Sequence, residues 1–381
     1  MAKTYNEIND KILKGNAVVL TAEQVSEMAI TMSAQEIAEK VDIVTTATFG
    51  AMCSSGAFLN FGHSTPPIRM EKIEINGVGM SGGLAAVDTY IGATDCNPLN
   101  PKYGGAHIIE DLVNGKEMVL EAWGKGTDCY PRTHIKTAIT LDSINEAIMC
   151  NPRNSYQNYN VATNTTDRLK HTYMGTLLPF MRNASYSSAG ELSPLMNDPE
   201  CRTIGLGTRI FLCGTQGYVT WNGTQFNTSK KVNRYGIPTS NARTIAVTGN
   251  LKEMNTNFLR AAYFEKYGVS MFVGIGIPIP ILDKDMAARV SIRNSQIETT
   301  ICDYGHDYDV LGKTDYASLR SGEIEIKGKK VHTSPLSSLA KAREIAEILK
   351  CWIMRGEFTL TAPVRDMPTE TNMKKLDEKI F

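Results

Sequence analysis

The stretch Val269–Ile277, with the sequence VSMFVGIGI, lies at the centre of the longest apolar run of the chain, residues 268–282. Pro278 and Pro280 interrupt this run, and it is shorter than the roughly 20 apolar residues that a membrane-spanning helix needs. We therefore predict a buried β-strand that leads into the proline segment. A second buried strand is predicted at Val41–Thr46, upstream of a loop of small residues.

Helices are predicted near both ends of the chain. A hydroxyl residue followed three positions later by Gln or Glu, at 21–24 and again at 33–36, fits the capping box that begins a helix. The stretch Leu336–Met354 has the apolar periodicity of an amphipathic helix and contains Cys351, which we interpret as a core thiol.

Short β-type runs dominate the region between these helices, for example at 118–123 and 208–213, and Asn151–Thr166 is predicted as a long polar loop. This pattern favours the α+β class, with one large domain, a mixed or antiparallel sheet and flanking helices. We expect the domain to occupy residues 1–362 and residues 363–381 to form a charged, mobile tail.

The composition excludes several classes of protein. The 381 residues include 40 basic and 40 acidic side chains, so the chain lacks the basic surface that nucleic acid or anionic membranes attract. The N-terminus has no secretory signal, and we expect a cytoplasmic protein. The eight cysteines form no C-x-x-C pair, so we expect reduced thiols and no metal or Fe–S site in this chain.

One cysteine stands out in the segment Gly126–Arg132, with the sequence GTDCYPR. A thiolate is the strongest nucleophile that a protein presents near neutral pH, provided that its surroundings favour ionisation. The cations Lys125, Arg132 and His134 near Cys129 favour the thiolate, whereas Asp128 opposes it, and a turn of Gly and Pro keeps the thiol accessible. A structural thiol is the alternative interpretation.

A second candidate thiol is Cys53, in the small-residue loop Phe49–Gly56, between a predicted strand and a predicted helix start. Amide dipoles at such a position favour a thiolate. The sequence of Gly77–Gly82 fits G-x-G-x-x-G, but no β-α series surrounds it, so we predict a glycine-rich turn before a packed helix rather than a nucleotide site.

Several blocks of the sequence resemble a known family. They carry the sequences AMCSSGAF (51–58), YGGAH (103–107), GTDCYPR (126–132), NPRN (151–154), GELSPL (190–195), GLGTRIF (205–211) and GIGIPIP (274–280). These blocks are similar to the homocysteine biosynthesis family of methanogens and other anaerobes, and they extend over nearly the whole chain.

The resemblance implies a sulfurtransferase that converts aspartate 4-semialdehyde, reduced sulfur and two electrons into homocysteine. It implies that Cys129 carries the sulfur as a persulfide and that Cys53 is the second catalytic thiol. It also implies a ferredoxin-like Fe–S partner as electron source, because no cofactor is expected on this chain. Many relatives carry a pair of CBS domains that this sequence lacks, so nucleotide regulation through them is not expected.

The expected substrate carries an α-carboxylate and an α-ammonium group, so its site needs a cation and an acid. From proximity in sequence we predict that Arg132 binds the carboxylate and that His63 or His107 protonates the developing alkoxide. Sulfide or another compound donates the sulfur, and self-association into a homo-oligomer is left open.

Two other functions remain open at this point. An acyl-transferring enzyme with Cys129 as nucleophile predicts a Cys–His hydrogen bond and an oxyanion hole. A non-catalytic redox or scaffold subunit predicts that the cysteines only sense oxidation.

Overall fold

The computed structural model describes residues 2–228, 231–239, 242–371 and 373–378. Its α-helices are α1 (Tyr5–Leu13), α2 (Ala22–Met28), α3 (Ala34–Lys40), α4 (Gly105–Val113), α5 (Pro194–Asn197), α6 (Lys284–Val290), α7 (Tyr316–Arg320) and α8 (Leu339–Met354). Its strands are β1 (Val19–Thr21), β2 (Ile43–Ala51), β3 (Gly56–Asn60), β4 (Lys72–Ile75), β5 (Val78–Ala85), β6 (Asp88–Gly92), β7 (Cys96–Asn97), β8 (Asn100–Gly104), β9 (Met118–Trp123), β10 (His134–Ile139), β11 (Glu146–Asn154), β12 (Val161–Thr163), β13 (Lys170–Thr172), β14 (Gly175–Leu177), β15 (Asn183–Tyr186), β16 (Arg209–Leu212), β17 (Thr215–Asn222), β18 (Ile245–Asn250), β19 (Leu259–Phe264), β20 (Gly268–Pro280), β21 (Glu298–Asp303), β22 (Asp309–Asp315), β23 (Glu323–Ile326) and β24 (Lys329–Pro335).

A large sheet organises most of the chain. Its strand order is β1-β2-β20-β16-β17-β18-β11-β3-β6-β5-β4-β9-β10, and β19 pairs with β20 outside this path. Parallel pairing of β1 with β2 stands beside antiparallel ladders elsewhere, so the sheet is mixed. The predicted α+β class is confirmed.

The large sheet has to curl. Five strands separate β2 from β3 in the sheet, which in a flat sheet puts them about 29 Å apart. The five steps from Ala51 to Gly56 span at most about 18 Å. The sheet therefore rolls until the ends of β2 and β3 approach each other, and the short loop that joins them, residues 52–55, contains Cys53.

The two predicted buried strands are neighbours near one end of the strand order. β2 pairs with β20 from Ile43 opposite Pro280 to Ala51 opposite Phe272. β20 continues through both prolines because, among the described strands, β2 is its only ladder partner beyond Gly276. A proline that lacks an N–H group is tolerated where one edge of a strand is unpaired.

A smaller sheet packs beside the large one. Its order is β22-β21-β12-β15-β24-β23, and it has its own buried cluster, which includes Val161, Ile301 and Val331. Strands β11 and β12 correct the prediction of a long loop at 151–166, because they cover residues 151–154 and 161–163 and leave only 155–160 and 164–166 irregular. Buried asparagines such as Asn151 made this segment resemble a loop.

Both predicted capping boxes are present, at Thr21 with Gln24 and at Ser33 with Glu36. The described part of the predicted tail contacts the body of the protein: the backbone of Val364 donates to Leu206 O, and Met367 is buried. Whether a domain boundary lies at residue 362 stays a prediction.

The buried carboxylate of Asp42 supports a prediction about acid stability. Its side chain is 2% exposed and accepts hydrogen bonds from Lys11 Nζ at 2.6 Å, Val18 N at 3.0 Å and Lys3 Nζ at 2.9 Å. Burial alone raises the pKa of Asp42, but these hydrogen bonds outweigh it and lower the pKa below its usual value. Asp42 therefore stabilises the fold above its unfolded-state pKa of about 3.9, and this stabilisation is lost as the pH falls through the lower folded-state pKa.

Asp42→Asn is expected to lower the free energy of unfolding at neutral pH by about 1–3 kcal/mol, because both lysines lose their anionic partner. The loss should shrink as the pH falls below about 4, and urea unfolding at several pH values measures it. Asp167→Asn is the control, because Asp167 is 73% exposed. An equal loss at neutral and acidic pH would contradict this account of Asp42.

Candidate functional site

A cavity of about 340 Å³ lies where the rolled end of the large sheet meets the smaller sheet. The loop after β2 contributes Cys53, the end of β11 contributes Arg153, and Tyr267 comes from the turn before β20. The remaining lining residues are Gly50, Ala51, Met52, Ser54, Tyr156, Tyr159, Tyr173, Met174, Ser187, Gln225, Leu336 and Ser337. Its volume lies at the lower end of the range of ligand pockets.

Cys53 is half-buried in this cavity, and two hydroxyl groups contact its sulfur. Ser270 Oγ lies 3.2 Å from Cys53 Sγ, and the Tyr267 hydroxyl donates to the same sulfur at 3.6 Å. The adjacent Ser54 hydroxyl donates to Arg153 O at 3.4 Å and so ties the loop to the end of β11. The thiol is thus held at the wall of a small-molecule cavity.

Tyrosine side chains form much of the cavity wall. The Tyr156 and Tyr159 rings are 4.9 Å apart, and Tyr173 lies 6.3 Å from Tyr159 and 6.1 Å from Tyr267. Burial is the main cause that raises the pKa of Tyr156, Tyr159 and Tyr267 above the usual value. These three phenols are therefore protonated, neutral hydrogen-bond donors at neutral pH.

Arg153 supplies the positive charge of the cavity. Its guanidinium takes part in none of the ion pairs of the described residues. Within the described chain the lining includes no carboxylate, lysine or second arginine. The cavity therefore carries one unpaired cation among neutral groups and suits a small anionic ligand.

Cys129 lies elsewhere, at the exposed tip of a tight turn between β9 and β10. Thr127 and Tyr130 exchange backbone hydrogen bonds at 2.9 and 3.1 Å, which places Asp128 and Cys129 at the two central positions of the turn. Gly126 precedes the turn with a φ of +77°, a conformation that favours glycine. The thiol is accessible to a large partner.

Other groups engage the cations that were predicted to act on Cys129. Arg132 Nη2 donates to Thr65 O at 3.1 Å, Lys125 pairs with Glu71 at 3.5 Å, and His134 contacts Glu121 at 3.0 Å. The Tyr130 ring, next to Cys129 in the chain, stacks on His63 with centroids 6.1 Å apart, so His63 lies beside the turn that carries Cys129.

The two candidate thiols lie at opposite ends of β3. Cys53 comes just before Gly56, the first residue of that strand, whereas His63, beside the Cys129 turn, follows its last residue, Asn60. The strand alone spans about 13 Å, and a disulfide requires a Cα separation of about 4.4–6.8 Å. The structure thus does not bring Cys53 and Cys129 together.

His107 has a structural contact. Its Nδ1 accepts a hydrogen bond from Gly104 N at 3.2 Å at the start of α4, its ring stacks on Tyr103, and it does not line the cavity. Burial lowers its pKa. No Cys–His hydrogen bond occurs among the described residues, so the acyl-transfer alternative lacks the contact that it predicts.

The segment Gly77–Gly82 forms part of the hairpin of β4 and β5. The residues after Gly82, such as Leu84, continue in β5, so the predicted packed helix after this segment is wrong. A nucleotide site of this type requires a helix N-terminus that is not there.

Sequence reasoning missed Arg153 and the tyrosines. Arg153 stands in the NPRN block, and Tyr156 and Tyr159 follow it directly. A cation followed by two tyrosines in a polar segment was the available signal. Their shared cavity depends on Cys53 and Tyr267, which lie 100 or more positions away in the sequence.

The separation of the thiols predicts the outcome of mild oxidation. A dilute, monomeric sample is expected to form no Cys53–Cys129 disulfide, because β3 keeps the two loops apart. Peptide mass mapping under non-reducing conditions measures this directly. A Cys53–Cys129 peptide that persists after isolation of the monomer would show that the loops can meet within one chain.

The comparisons with known proteins agree with the sequence blocks. Residues 17–360 match the family model described as "Homocysteine biosynthesis enzyme, sulfur-incorporation", and the chain belongs to this family. A protein from Methanosarcina acetivorans named L-aspartate semialdehyde sulfurtransferase is 48% identical over 99% of this chain and 74% of its own length. One of the same name from Methanocaldococcus jannaschii is 51% identical over 95% of this chain and 72% of its own length.

A more distant relative from Methanothermobacter thermautotrophicus is 26% identical over 84% of this chain and 72% of its own length, and it is named only as an uncharacterized protein. No solved structure matches the chain at a significant level. None of the helices in the described residues has the length and apolar character to cross a membrane.

Proposed function

We propose that this protein is an L-aspartate semialdehyde sulfurtransferase, which joins reduced sulfur to L-aspartate 4-semialdehyde and forms L-homocysteine. The observation that carries the proposal is an identity of about one half, over nearly the whole chain, to two proteins of that name. The chemistry of the chain supports it, because an exposed thiol and a cationic cavity with a second thiol are both present.

The overall reaction determines how many electrons have to be supplied. An aldehyde, hydrogen sulfide, two electrons and two protons give a thiol and water. In the proposed route, Cys129 and sulfide form a persulfide, and the two electrons released pass to the oxidised form of a ferredoxin-like Fe–S protein. Cleavage of the S–S bond later consumes two electrons again, so the net demand of the whole reaction is still two electrons.

The steps follow from the reactivity of the persulfide. Its outer sulfur adds to the C4 aldehyde and forms the C–S bond. Reduction breaks the S–S bond and returns Cys129 to the thiol. Loss of the C4 oxygen as water and a second two-electron reduction leave the C4 thiol of homocysteine.

The electrons come from outside the chain in this proposal. A ferredoxin-like Fe–S protein is the proposed donor, and the eight cysteines of the chain form no C-x-x-C pair that would hold such a cluster locally. The exposed turn of Cys129 is accessible to a protein of that size.

Turnover by the purified chain tests the proposal. The protein is incubated with aspartate semialdehyde, sulfide and a partly reduced Fe–S carrier, whose oxidised form accepts the electrons of persulfide formation and whose reduced form supplies the later reductions. Homocysteine is measured by chromatography, and an added sulfur atom on the protein is followed by intact mass. Homocysteine that forms no faster than in a protein-free control would refute the proposed function.

A further inference from the structure

We infer that the cavity at Cys53, rather than the loop of Cys129, binds the amino-acid substrate, with the α-carboxylate on Arg153 and the α-ammonium group against the tyrosine rings. This inference rests on the proposed function, because it assigns a position to the substrate of that reaction. The inference places Cys53 beside the C4 aldehyde. It assigns the carboxylate to Arg153 instead of Arg132, the partner predicted from the sequence.

The charge of the cavity supports the carboxylate position. Arg153 is half-buried, lines the same cavity as Cys53, and has no carboxylate partner among the described residues. Its positive charge acts on the Tyr156 and Tyr267 phenols, because it lowers their pKa values and so partly offsets the effect of burial. An unpaired guanidinium in a partly desolvated site binds a carboxylate through two parallel hydrogen bonds.

The guanidinium of Arg132 is less suited to this task. It already donates to Thr65 O, and it lies beside the exposed turn of Cys129. A carboxylate bound there stays in contact with water, which weakens the ion pair.

The tyrosines support the ammonium position. The sequence predicted an acid for this group, but the described lining of the cavity contains none. It contains instead the rings of Tyr156, Tyr159, Tyr173 and Tyr267, with neighbouring centroids 4.9–6.3 Å apart. A cation that lies over the face of a tyrosine ring within about 6 Å is attracted by the π-system.

The inference gives the two thiols separate tasks. Cys129 faces solvent and takes sulfur from the donor, whereas Cys53, in contact with Ser270 and Tyr267, faces the bound amino acid. Since β3 separates them, sulfur reaches the cavity through a movement of the Cys129 turn or from a second copy of the chain.

Binding of L-homoserine tests the inference without sulfur or electrons. Homoserine carries the carboxylate and ammonium of the substrate and replaces its aldehyde by a stable alcohol. Arg153→Gln is expected to raise the Kd measured by calorimetry about 10- to 100-fold, as the loss of a charge-assisted hydrogen bond predicts. Arg153→Lys should raise it less, because the charge remains and the planar fork is lost.

The control variant is Arg168→Gln, because the Arg168 side chain is 86% exposed, and it should bind as the wild type does. Two truncated probes separate the groups. Arg153→Gln should weaken the binding of 4-hydroxybutyrate, which lacks the ammonium, and should not affect the binding of 3-aminopropan-1-ol, which lacks the carboxylate. Tyr156→Leu should weaken the binding of 3-aminopropan-1-ol and should not affect that of 4-hydroxybutyrate. Circular dichroism checks that both variants fold.

Equal Kd values for wild type and Arg153→Gln, or a loss in Arg132→Gln with none in Arg153→Gln, would overturn the inference. The proposed function fails separately. If the wild type binds homoserine through Arg153 but forms no homocysteine, the function is wrong and the site stands. If the wild type forms homocysteine while Arg153→Gln binds normally, only the site is wrong.

Discussion

Cys129→Ser is expected to lower homocysteine formation at least about a thousandfold, because a serine hydroxyl cannot carry a persulfide at neutral pH. The effect should fall on kcat rather than on the Kd for homoserine, since Cys129 lies outside the cavity. Chromatography of homocysteine gives the rate, and intact mass should show that the added sulfur atom is absent from the variant.

Cys96→Ser is the matched control, because Cys96 is also an exposed thiol and its sulfur donates to Thr94 O at 3.3 Å. Its turnover should equal that of the wild type. Turnover at the wild-type rate in Cys129→Ser would refute the role of carrier and would favour direct attack by sulfide in the cavity. A non-catalytic redox subunit likewise predicts that this variant leaves homocysteine formation intact.

A mixture of two variant proteins tests whether sulfur passes within one chain or between two chains. Cys129→Ser retains an intact cavity, and Arg153→Gln retains an intact carrier. Turnover in an equal mixture above the sum of the separate variants would mean that sulfur passes between chains. A mixture without recovery would mean that the Cys129 turn moves within its own chain.

The apolar pattern was sufficient to predict the fold class and the paired buried strands β2 and β20. Val269–Ile277 is so uniformly apolar that only a position buried on both faces suits it, and the capping boxes at Thr21 and Ser33 depend on residues three positions apart. The segment at 151–154 was missed because its polar side chains are satisfied far away in sequence. For example, buried Asn151 Nδ2 donates to Ser55 Oγ at 2.9 Å.

The sequence predicted only part of the candidate site, for a related reason. Cys53 and Cys129 appear equivalent in the sequence, since both are loop cysteines near glycine. Only the curl of the sheet encloses Cys53 between Arg153 and Tyr267 and leaves Cys129 in solvent. Which residues share a cavity depends on the pairing of strands that are distant in sequence, and local sequence patterns do not specify that pairing.

Gly105→Ala is expected to destabilise the protein severely, by about 3 kcal/mol or more, although it is the mildest change possible at that position. A Cβ atom on Gly105 would lie 1.8 Å from Gly92 O, and this oxygen belongs to the backbone, so no side-chain rotation relieves the clash. Overpacking of a rigid core costs about 1–3 kcal/mol, and more where the backbone itself must shift.

The shift would also reach the candidate site. Gly92 precedes Ala93, whose N–H donates to Ser55 O at 2.7 Å and whose carbonyl accepts from Ala106 N at 3.0 Å. These bonds hold α4 and the Cys53 loop in one arrangement, so the GGAH part of the block acts as a structural support of the cavity. Homoserine binding should therefore weaken together with stability.

Urea unfolding measures the loss, with Gly79→Ala as the control. A Cβ atom on Gly79 meets no atom within 4 Å, so this variant should stay within about 0.5 kcal/mol of the wild type. If Gly105→Ala unfolds at the same urea concentration as Gly79→Ala, the contact of α4 with Gly92 is looser than the structure shows, and the support that it gives to the Cys53 loop has to come from elsewhere.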